Sequence, residues 1–398
     1  MIMNILIADK LAASTIKALE ALKCQVTSNP DLSEETLPGA IGDHEILVVR
    51  STKVSAKTIE AGKRLSLIIR AGAGVNTIDL NAASRRGIHV TNCPGKNTEA
   101  VAELAIGLLI AADRRIPQAT TDLQKGEWKK GEYGKSRGLK GRTLGVIGLG
   151  NIGRSVIARA RALEMKVIVC SRSLTPEQAE SLGVEYAATP MIVAEQADAI
   201  TVHIAYSKTE THHLVNAAVL GRMKPGAILV NTSRGEVVDT AALKTAIREK
   251  GLRVGLDVFE NEPKGNKDVF ADVELAQLAV CTPHIGASTD QASEAIADEC
   301  VRIVKSYIDT GMPLNVVNVR TRPVTTHGMV VRHFNRVGVL ASVLDALKAD
   351  GINIEEMQNI IFEQGIAANC SLRLDKAPSA IVIATLTRNP DIIQISTH

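Results

Sequence analysis

The chain has 398 residues, more than one ordinary hydrophobic core serves, so two or three domains are expected. A net charge of +3 and only 2% aromatic residues argue against a nucleic-acid partner, since there is neither a basic excess nor a set of rings for stacking bases. Six cysteines, none in a CxxC or zinc spacing, point to a reducing compartment and to no metal site.

The opening run, MIMNILIADK, reads as a short strand, because it lacks the basic n-region and cleavage pattern of a signal peptide. Strand-like runs follow at Ile46–Val49, Leu67–Ile69 and Ile88–Thr91, with helical patterns at Ala12–Leu22 and Ser55–Ala61. That alternation predicts a parallel sheet with helices on its faces. A long helix is expected from about Thr98 to Leu123. Its apolar stretch, Val101–Ala112, contains Glu103 and is too short to cross a bilayer, so a cytoplasmic protein without a membrane partner is expected. The polar segment Gln124–Gly141 then reads as a loop or boundary.

A second αβ series begins at Thr143. Its expected strands are Thr143–Ile147, Lys166–Val169, Ala199–Val202, Ala227–Asn231, Arg253–Asp257 and Leu278–Thr282. Another long helix, Ser288–Tyr307, is expected to open on a Ser288–Gln291 capping box. Two long helices bracketing the second series suggest that the chain crosses between two domains and returns. The first would comprise residues 1–96 and 285–314, and the second residues 97–284. Asp309–Pro323 reads as a linker. Residues 322–398 then show a βαββαβ order, the pattern of a ferredoxin-like unit. The fold class expected is α/β: two doubly wound parallel-sheet domains and a C-terminal ferredoxin-like domain.

The first chemical signal is GLGNIG, which follows a strand and opens an Ala-rich helix. Gly148 permits a tight turn, Gly150 lets backbone approach a pyrophosphate, and Gly153 lets helix and strand pack closely. Asn151 and Ile152 lie at the helix N-terminus, whose free N–H groups attract phosphates. The next strand should end in an acid that holds the adenosine ribose. It runs instead into Ser171-Arg172-Ser173, then into Thr175-Pro176-Glu177-Gln178, a helix start with a capping box. Without the acid, NADP becomes possible beside NAD, because Ser171 and Arg172 could receive a 2′-phosphate.

Three later loops carry ionisable groups at expected strand ends: Arg234 in NTSRGEVVD, Asp257 and Glu262 in LDVFENEP, and His284 in TPHIGAST. Ligands of open α/β sheets bind at those ends. Arginine can clamp a carboxylate with its fork, and histidine can exchange a hydroxyl proton. A carboxylate beside the imidazole fixes its tautomer and raises its basicity. No GxSxG or HExxH pattern offers a competing chemistry. Whether His203 in ITVHIA touches a cofactor or only ends its strand stays open.

The order GLGNIG, NTSRGEVVD, LDVFENEP, TPHIGAST, with VVRSTKV and RAGAGVNTIDL before it, resembles the D-isomer-specific 2-hydroxyacid dehydrogenases. The tail, VVRHFNRVGVLASVLDALKADGINI, is similar to an ACT domain, a small-ligand regulatory module. The resemblance is greatest to ACT-bearing members that oxidise 3-phosphoglycerate to 3-phosphohydroxypyruvate at the entry to L-serine synthesis. It implies that Arg234, Glu262 and His284 are catalytic and that Asp257 contacts the nicotinamide end. It places Thr232, Ser233, Gly286 and Ala287 at the cofactor, and Arg50, Ser51, Ala73, Gly74 and Asn97 around the substrate. His333, Asn335 and Asn353 match residues that bind L-serine between two ACT domains, although Val337 stands where proline is common. Trp128 and Lys130 match residues that reach a neighbouring subunit, so a homodimer or homotetramer is implied. Related activities on glyoxylate, hydroxypyruvate or 2-oxoglutarate, and a dinucleotide-sensing corepressor role, are the alternatives.

Overall fold

Short apolar runs build the first sheet from β1 (Asn4–Ile7), β2 (Gln25–Ser28), β3 (Ile46–Val49), β4 (Leu67–Arg70) and β5 (His89–Asn92). All pairings are parallel, in the order β2-β1-β3-β4-β5. The computed structural model describes residues 2–263, 269–320 and 327–398. It divides into one unit ending at Asn318 and another starting at Val319. β2, QVTS, is an exposed edge strand without an apolar run, which is why periodicity passes over it.

The second sheet holds β6 (Thr143–Ile147), β7 (Lys166–Cys170), β8 (Glu185–Tyr186), β9 (Ala199–Val202), β10 (Ile228–Asn231), β11 (Arg253–Leu256) and β12 (Val280–Cys281). It too is parallel, in the order β12-β11-β10-β9-β6-β7-β8. Apart from the exposed β2 and β8, the strands of both sheets are largely buried and rich in Val, Ile and Leu. The crossing helix, Thr98–Arg114, lays Ala102, Ala105, Leu108 and Leu109 on Leu144, Val146 and Val230 of the second sheet. The returning helix, Asp290–Thr310, lays Ile296, Cys300, Ile303 and Val304 on Ile5, Ile46, Leu67 and Ile69 of the first. Each fully buried Leu or Ile contributes roughly 1.5–3 kcal/mol, so these helices bind their sheets firmly.

Four boundaries depart from expectation. The Thr98–Leu123 helix is two helices, Thr98–Arg114 and Ile116–Gln124, broken at Arg115 (φ 53°) with Pro117 just beyond. Proline lacks the N–H that would continue the first helix. The returning helix is capped by Thr289, whose hydroxyl accepts from the Ala292 amide, and not by Ser288. Leu278 ends the helix Val273–Leu278, and β12 is shortened accordingly. Lastly, the stretch expected to be a linker is docked in part. Val316 bridges Thr91, and the Asn318 side chain accepts from the Val90 amide (2.8 Å) and donates to the Ile88 carbonyl (2.8 Å).

The second unit is an antiparallel sheet of β13 (His327–Phe334), β14 (Ile354–Ile361), β15 (Ala367–Leu374) and β16 (Ile392–Thr397), ordered β14-β15-β13-β16. Helices Val339–Ala349 and Ala380–Thr387 complete the βαββαβ order, and Val343, Leu347, Val382 and Leu386 pack on Met329, Val331, Cys370 and Leu372. The start expected for this unit, residues 322–326, lies outside the described residues. Among the described residues no helix is long and apolar enough to cross a membrane.

Candidate functional site

In the second sheet the strand order reverses between β6 and β9, which opens a crevice at their carboxyl ends. Gly148 follows β6 at φ 101°, and a Cβ there would stand 2.3 Å from the His203 carbonyl oxygen beyond β9. A Cβ on Gly153 would stand 2.2 Å from the Gly148 carbonyl oxygen. Gly150 faces open space and starts the helix Asn151–Ala162 without a side-chain cap. The first-turn amides at Asn151, Ile152 and Gly153 therefore lack intrahelical acceptors and suit an anion. Among the described residues two buried polar atoms on the loops after β9 and β10 have no partner: His203 Nδ1 and Thr232 Oγ1. Burial pushes His203 down to about 3, so its ring is neutral, with Nε2 2.8 Å from Thr201 Oγ1. A backbone cradle that admits no Cβ, free helix amides and orphaned polar atoms all fit a bound dinucleotide.

β7 feeds the loop where a ribose-reading acid would stand. The Leu174 amide donates to the Ser171 carbonyl oxygen in a tight turn, and Thr175 with Gln178 forms the full capping box. Arg172 projects from that turn and is ion-paired with Glu210 from the loop after β9. Sequence spacing placed Arg172 but gave no hint of its carboxylate partner.

The loop after β10 is locked by Asn231. Its Oδ1 accepts from the Ser233 amide (3.0 Å) and hydroxyl (2.8 Å), and its Nδ2 donates to the Arg234 carbonyl oxygen (2.9 Å). Thr232 and Ser233 are buried, and the Arg234 side chain reaches Gly74, in the turn after β4 of the first sheet. A Cβ on Gly74 would stand 2.2 Å from Arg234 Nη2, so guanidinium and Gly74 are in contact. The structure thus brings together a predicted clamp and a predicted substrate position that are 160 residues apart.

His284 Nδ1 lies 2.7 Å from Glu262 Oε2, while Glu262 Oε1 accepts from the Phe259 amide (3.0 Å). Burial raises the Glu262 pKa, but the His284 hydrogen bond and charge, the Phe259 amide and Arg234 outweigh it and hold it below the ordinary glutamate range. The imidazole side chain is 46% exposed, so its far nitrogen is free to meet a substrate. His284 occupies the left-handed region at φ 51°, and its amide is bonded to the Asp257 and Thr282 carbonyl oxygens. Such strain persists only where surroundings over-determine it.

Those surroundings are supplied by Asp257. Its Oδ1 accepts from the Thr282 hydroxyl (2.7 Å) and the Ile285 amide (2.8 Å), and its Oδ2 accepts from the Gly286 amide (2.8 Å). Burial pushes the Asp257 carboxyl up, against those three donors and His284. Expected to contact nicotinamide, this carboxylate is engaged by the His284 loop, and the Gly286 amide is engaged with it. Ala287 follows on the same turn.

On the first sheet, Asp9 after β1 accepts from the amides of Arg50 (2.6 Å), Ser51 (3.1 Å) and Thr52 (3.1 Å) after β3. β1 and β3 flank that sheet's own reversal point. The Ala73 carbonyl oxygen accepts from Asn92 Nδ2 (2.6 Å), which holds the Ala73–Gly74 turn. Asn97 caps the crossing helix through its backbone only.

One residue that motif reading missed is Arg70, at the end of β4. Its guanidinium folds over Gly72, where a Cβ would meet Nη1 at 1.6 Å, and its Nε is buried without a partner among the described residues. Burial first, then the neighbouring Arg234 and Arg50 charges, push Arg70 down to about 10. Three arginines therefore share one cleft. The available signal was a charge closing the otherwise apolar run LIIR.

In the second unit, His333 is buried, with Nδ1 2.8 Å from the Phe334 carbonyl oxygen and Nε2 3.2 Å from Asn359 Oδ1. Asn335 bonds the Gly365 carbonyl oxygen (3.0 Å). Asn353 bonds Glu355 (2.9 Å), and its amide bonds Asp375 (2.9 Å). Pairing registers put His333 beside Ala368 and Asn353 beyond the Ile354–Leu374 pair, so within one chain these residues lie at opposite ends of the sheet. The predicted effector set is not assembled in a single copy.

Fold and site together define a nicotinamide-dependent dehydrogenase of the α/β class. Residues 106–286 match the model for the D-isomer specific 2-hydroxyacid dehydrogenase NAD binding domain. The chain belongs to the D-isomer-specific 2-hydroxyacid dehydrogenase family and is an oxidoreductase. It is 37% identical over 356 residues to a D-3-phosphoglycerate dehydrogenase of Methanocaldococcus jannaschii, covering 89% of this chain and 67% of that one. Several relatives so named are longer, and the chain spans 58% to 67% of their lengths. It is 41% identical over 296 residues to a hydroxypyruvate reductase of Thermotoga maritima, covering 74% of this chain and 93% of that one. Among solved structures it resembles an NADPH-dependent glyoxylate/hydroxypyruvate reductase of Sinorhizobium meliloti, with a TM-score of 0.69 and 30% identity over 81% of this chain and all of that one.

Proposed function

We propose that this enzyme oxidises D-3-phosphoglycerate to 3-phosphohydroxypyruvate, the first step of L-serine synthesis. The observation that carries this reading is the arginine triplet, Arg50, Arg70 and Arg234, gathered at one cleft. The Asp9 carboxylate beside Arg70 is engaged by three backbone amides. A substrate with negative charge at both ends would complement the three cations, whereas glyoxylate and hydroxypyruvate carry it at one end only. Arg234 would grip the carboxylate beside the Ala73–Gly74 turn, and Arg50, Ser51 and Arg70 would face the phosphate.

His284 would take the C2 hydroxyl proton on its exposed nitrogen, while Glu262 stabilises the imidazolium that results. When bound, the nicotinamide supplies the hydride acceptor. Gly148, Gly150, Asn151, Ile152 and Gly153 would hold its pyrophosphate, with Thr232 Oγ1 and His203 Nδ1 as waiting partners. Asp257 would act from behind, by fixing the loop that carries His284.

We further infer that the second unit is an ACT domain. Its βαββαβ order supports that reading, and so does an exposed β14 with Met357, Ile360 and Ile361 uncovered. An L-serine pocket would then need Asn353 from a second copy, because one copy separates it from His333 and Asn335. Trp128, 79% exposed on a polar segment, is suited to a further contact between subunits in a homodimer or homotetramer.

The test is a substrate panel with purified protein: 3-phosphoglycerate, 3-phosphohydroxypyruvate, hydroxypyruvate, glyoxylate and 2-oxoglutarate, each with both nicotinamide dinucleotides. The phosphorylated pair should give the highest kcat/KM, by at least about tenfold, the worth of one charge-assisted contact. Equal or faster turnover of hydroxypyruvate would overturn the assignment in favour of a reductase.

A further inference from the structure

The second strand of this dinucleotide unit, β7, ends without an acid, and the residue in that place is Arg172. Its guanidinium is nevertheless matched by a carboxylate, that of Glu210, delivered from a different loop. The placement of Glu210 is built into the fold. It sits on the turn Ser207–Thr211, where the buried Thr211 hydroxyl accepts from the Ser207 amide (2.6 Å) and donates to the Ala205 carbonyl oxygen (2.9 Å). The Thr211 and His212 amides close the same turn on the Ser207 carbonyl oxygen. This loop leaves β9 through His203, whose backbone abuts Gly148, and the Gly148 amide in turn donates to Cys170 at the end of β7 (2.8 Å). The glycine turn, the Arg172 loop and the Glu210 turn therefore meet around the place where the adenosine ribose of a dinucleotide belongs.

We propose that Glu210 is the residue that sets dinucleotide choice in this enzyme, standing in from the β9 loop for the acid that β7 lacks. The proposal rests on the dinucleotide-binding reading of the Gly148 turn. A ribose 2′-hydroxyl can donate to the Glu210 carboxylate while Arg172 stays paired. A 2′-phosphate, carrying close to two negative charges, must either displace Glu210 from Arg172 or lie beside it. Both cost binding, so NAD is preferred. The pair is exposed on both sides, and exposed pairs are readily broken, so NADP is disfavoured by about tenfold and not excluded.

The experiment measures dissociation constants of NAD and NADP by calorimetry on the full chain, for the parent, E210A, E210Q, R172A and the double variant E210A/R172A. Steady-state kinetics with 3-phosphoglycerate run in parallel. The parent should bind NAD more tightly. E210A and E210Q should tighten NADP by about tenfold, since Arg172 is then free for the phosphate, and E210A should weaken NAD by roughly three- to tenfold, since the ribose 2′-hydroxyl loses its acceptor. R172A should weaken NADP further, and the double variant should erase the gain of E210A. A ratio of the two constants within twofold of the parent's in both Glu210 variants overturns the proposal, as does a parent that prefers NADP. If the constants shift as expected but no 3-phosphoglycerate is oxidised, Glu210 keeps its role and the substrate assignment fails. If neither dinucleotide binds the parent, both fall.

Discussion

At the scale of single residues the site hangs on His284, and its environment fixes what replacement should do. Replacing His284 with Ala leaves the Asp257 bonds to the Ile285 and Gly286 amides in place, so the loop should keep its course. Turnover should fall about 10²–10⁴-fold, the usual worth of positioned acid–base catalysis, with KM little changed. Near-parental kcat in the folded variant would remove His284 from the chemistry. Glu262 adds a pH signature. Its pKa lies below the ordinary value, so its stabilising contribution is complete above about 4.5 and is lost as pH falls through the lowered value. Denaturant unfolding of the parent between pH 6 and 3 should therefore show an acid loss that Glu262→Gln lacks. Identical pH dependence in the two proteins would mean that Glu262 is not the charged partner of His284. These residues were legible in the sequence because each sits in a short local motif at a strand end. Arg70, Asp9 and Glu210 were not, since their meaning comes from partners brought close only by tertiary structure. Cys93 and Cys300 make the same point: scattered in sequence, they are buried with their sulfurs 3.7 Å apart.

Among the elements, the strand–turn–helix unit around GLGNIG is the most sharply specified. Adding one methyl at Gly148 would both force a left-handed backbone on an L-residue and drive Cβ into the His203 carbonyl, which is backbone and cannot swing aside. Gly148→Ala should lower Tm by several degrees, in line with a loss of roughly 1–3 kcal/mol, and should weaken dinucleotide binding in calorimetry. A variant with parental Tm and parental binding would show that the turn is slack and that its glycine is incidental. Element positions were read well wherever a buried face imposed a period. They were read poorly where the chain broke that rule: an edge strand with no apolar run, the two-residue β8, and a helix whose apolar stripe continues past the break at Arg115. A periodic pattern records which face is apolar, not whether that face is covered or the backbone hydrogen bonds run unbroken beneath it.

At the scale of the whole molecule, the decisive feature is where the first unit ends. Composition alone put a linker at Asp309–Pro323, so a cut anywhere in it would look harmless. The structure instead ties Asn315 to the buried Glu299 carboxylate (2.8 Å), Val317 to the Val90 carbonyl oxygen (2.8 Å), and Asn318 to both the Val90 amide and the Ile88 carbonyl oxygen. The segment covers the open edge of β5 and satisfies backbone groups that would otherwise face solvent as an unpaired strand edge. A chain ending at Asn318 should therefore fold with near-parental Tm and keep dehydrogenase turnover, because the cores of both parallel sheets lie wholly before that point. A chain ending at Met312 loses four hydrogen bonds from Val317 and Asn318 and one from Asn315. At about 1 kcal/mol each, that removes a large part of a typical domain's margin. It should melt well below the longer truncation and tend to associate through the bared β5 edge, which thermal unfolding and light scattering would report. Equal melting temperatures for the two truncations would show that residues 313–318 are a passive tether. If the longer truncation also loses any response of the full enzyme to L-serine while keeping turnover, catalysis and regulation divide between the units at Asn318.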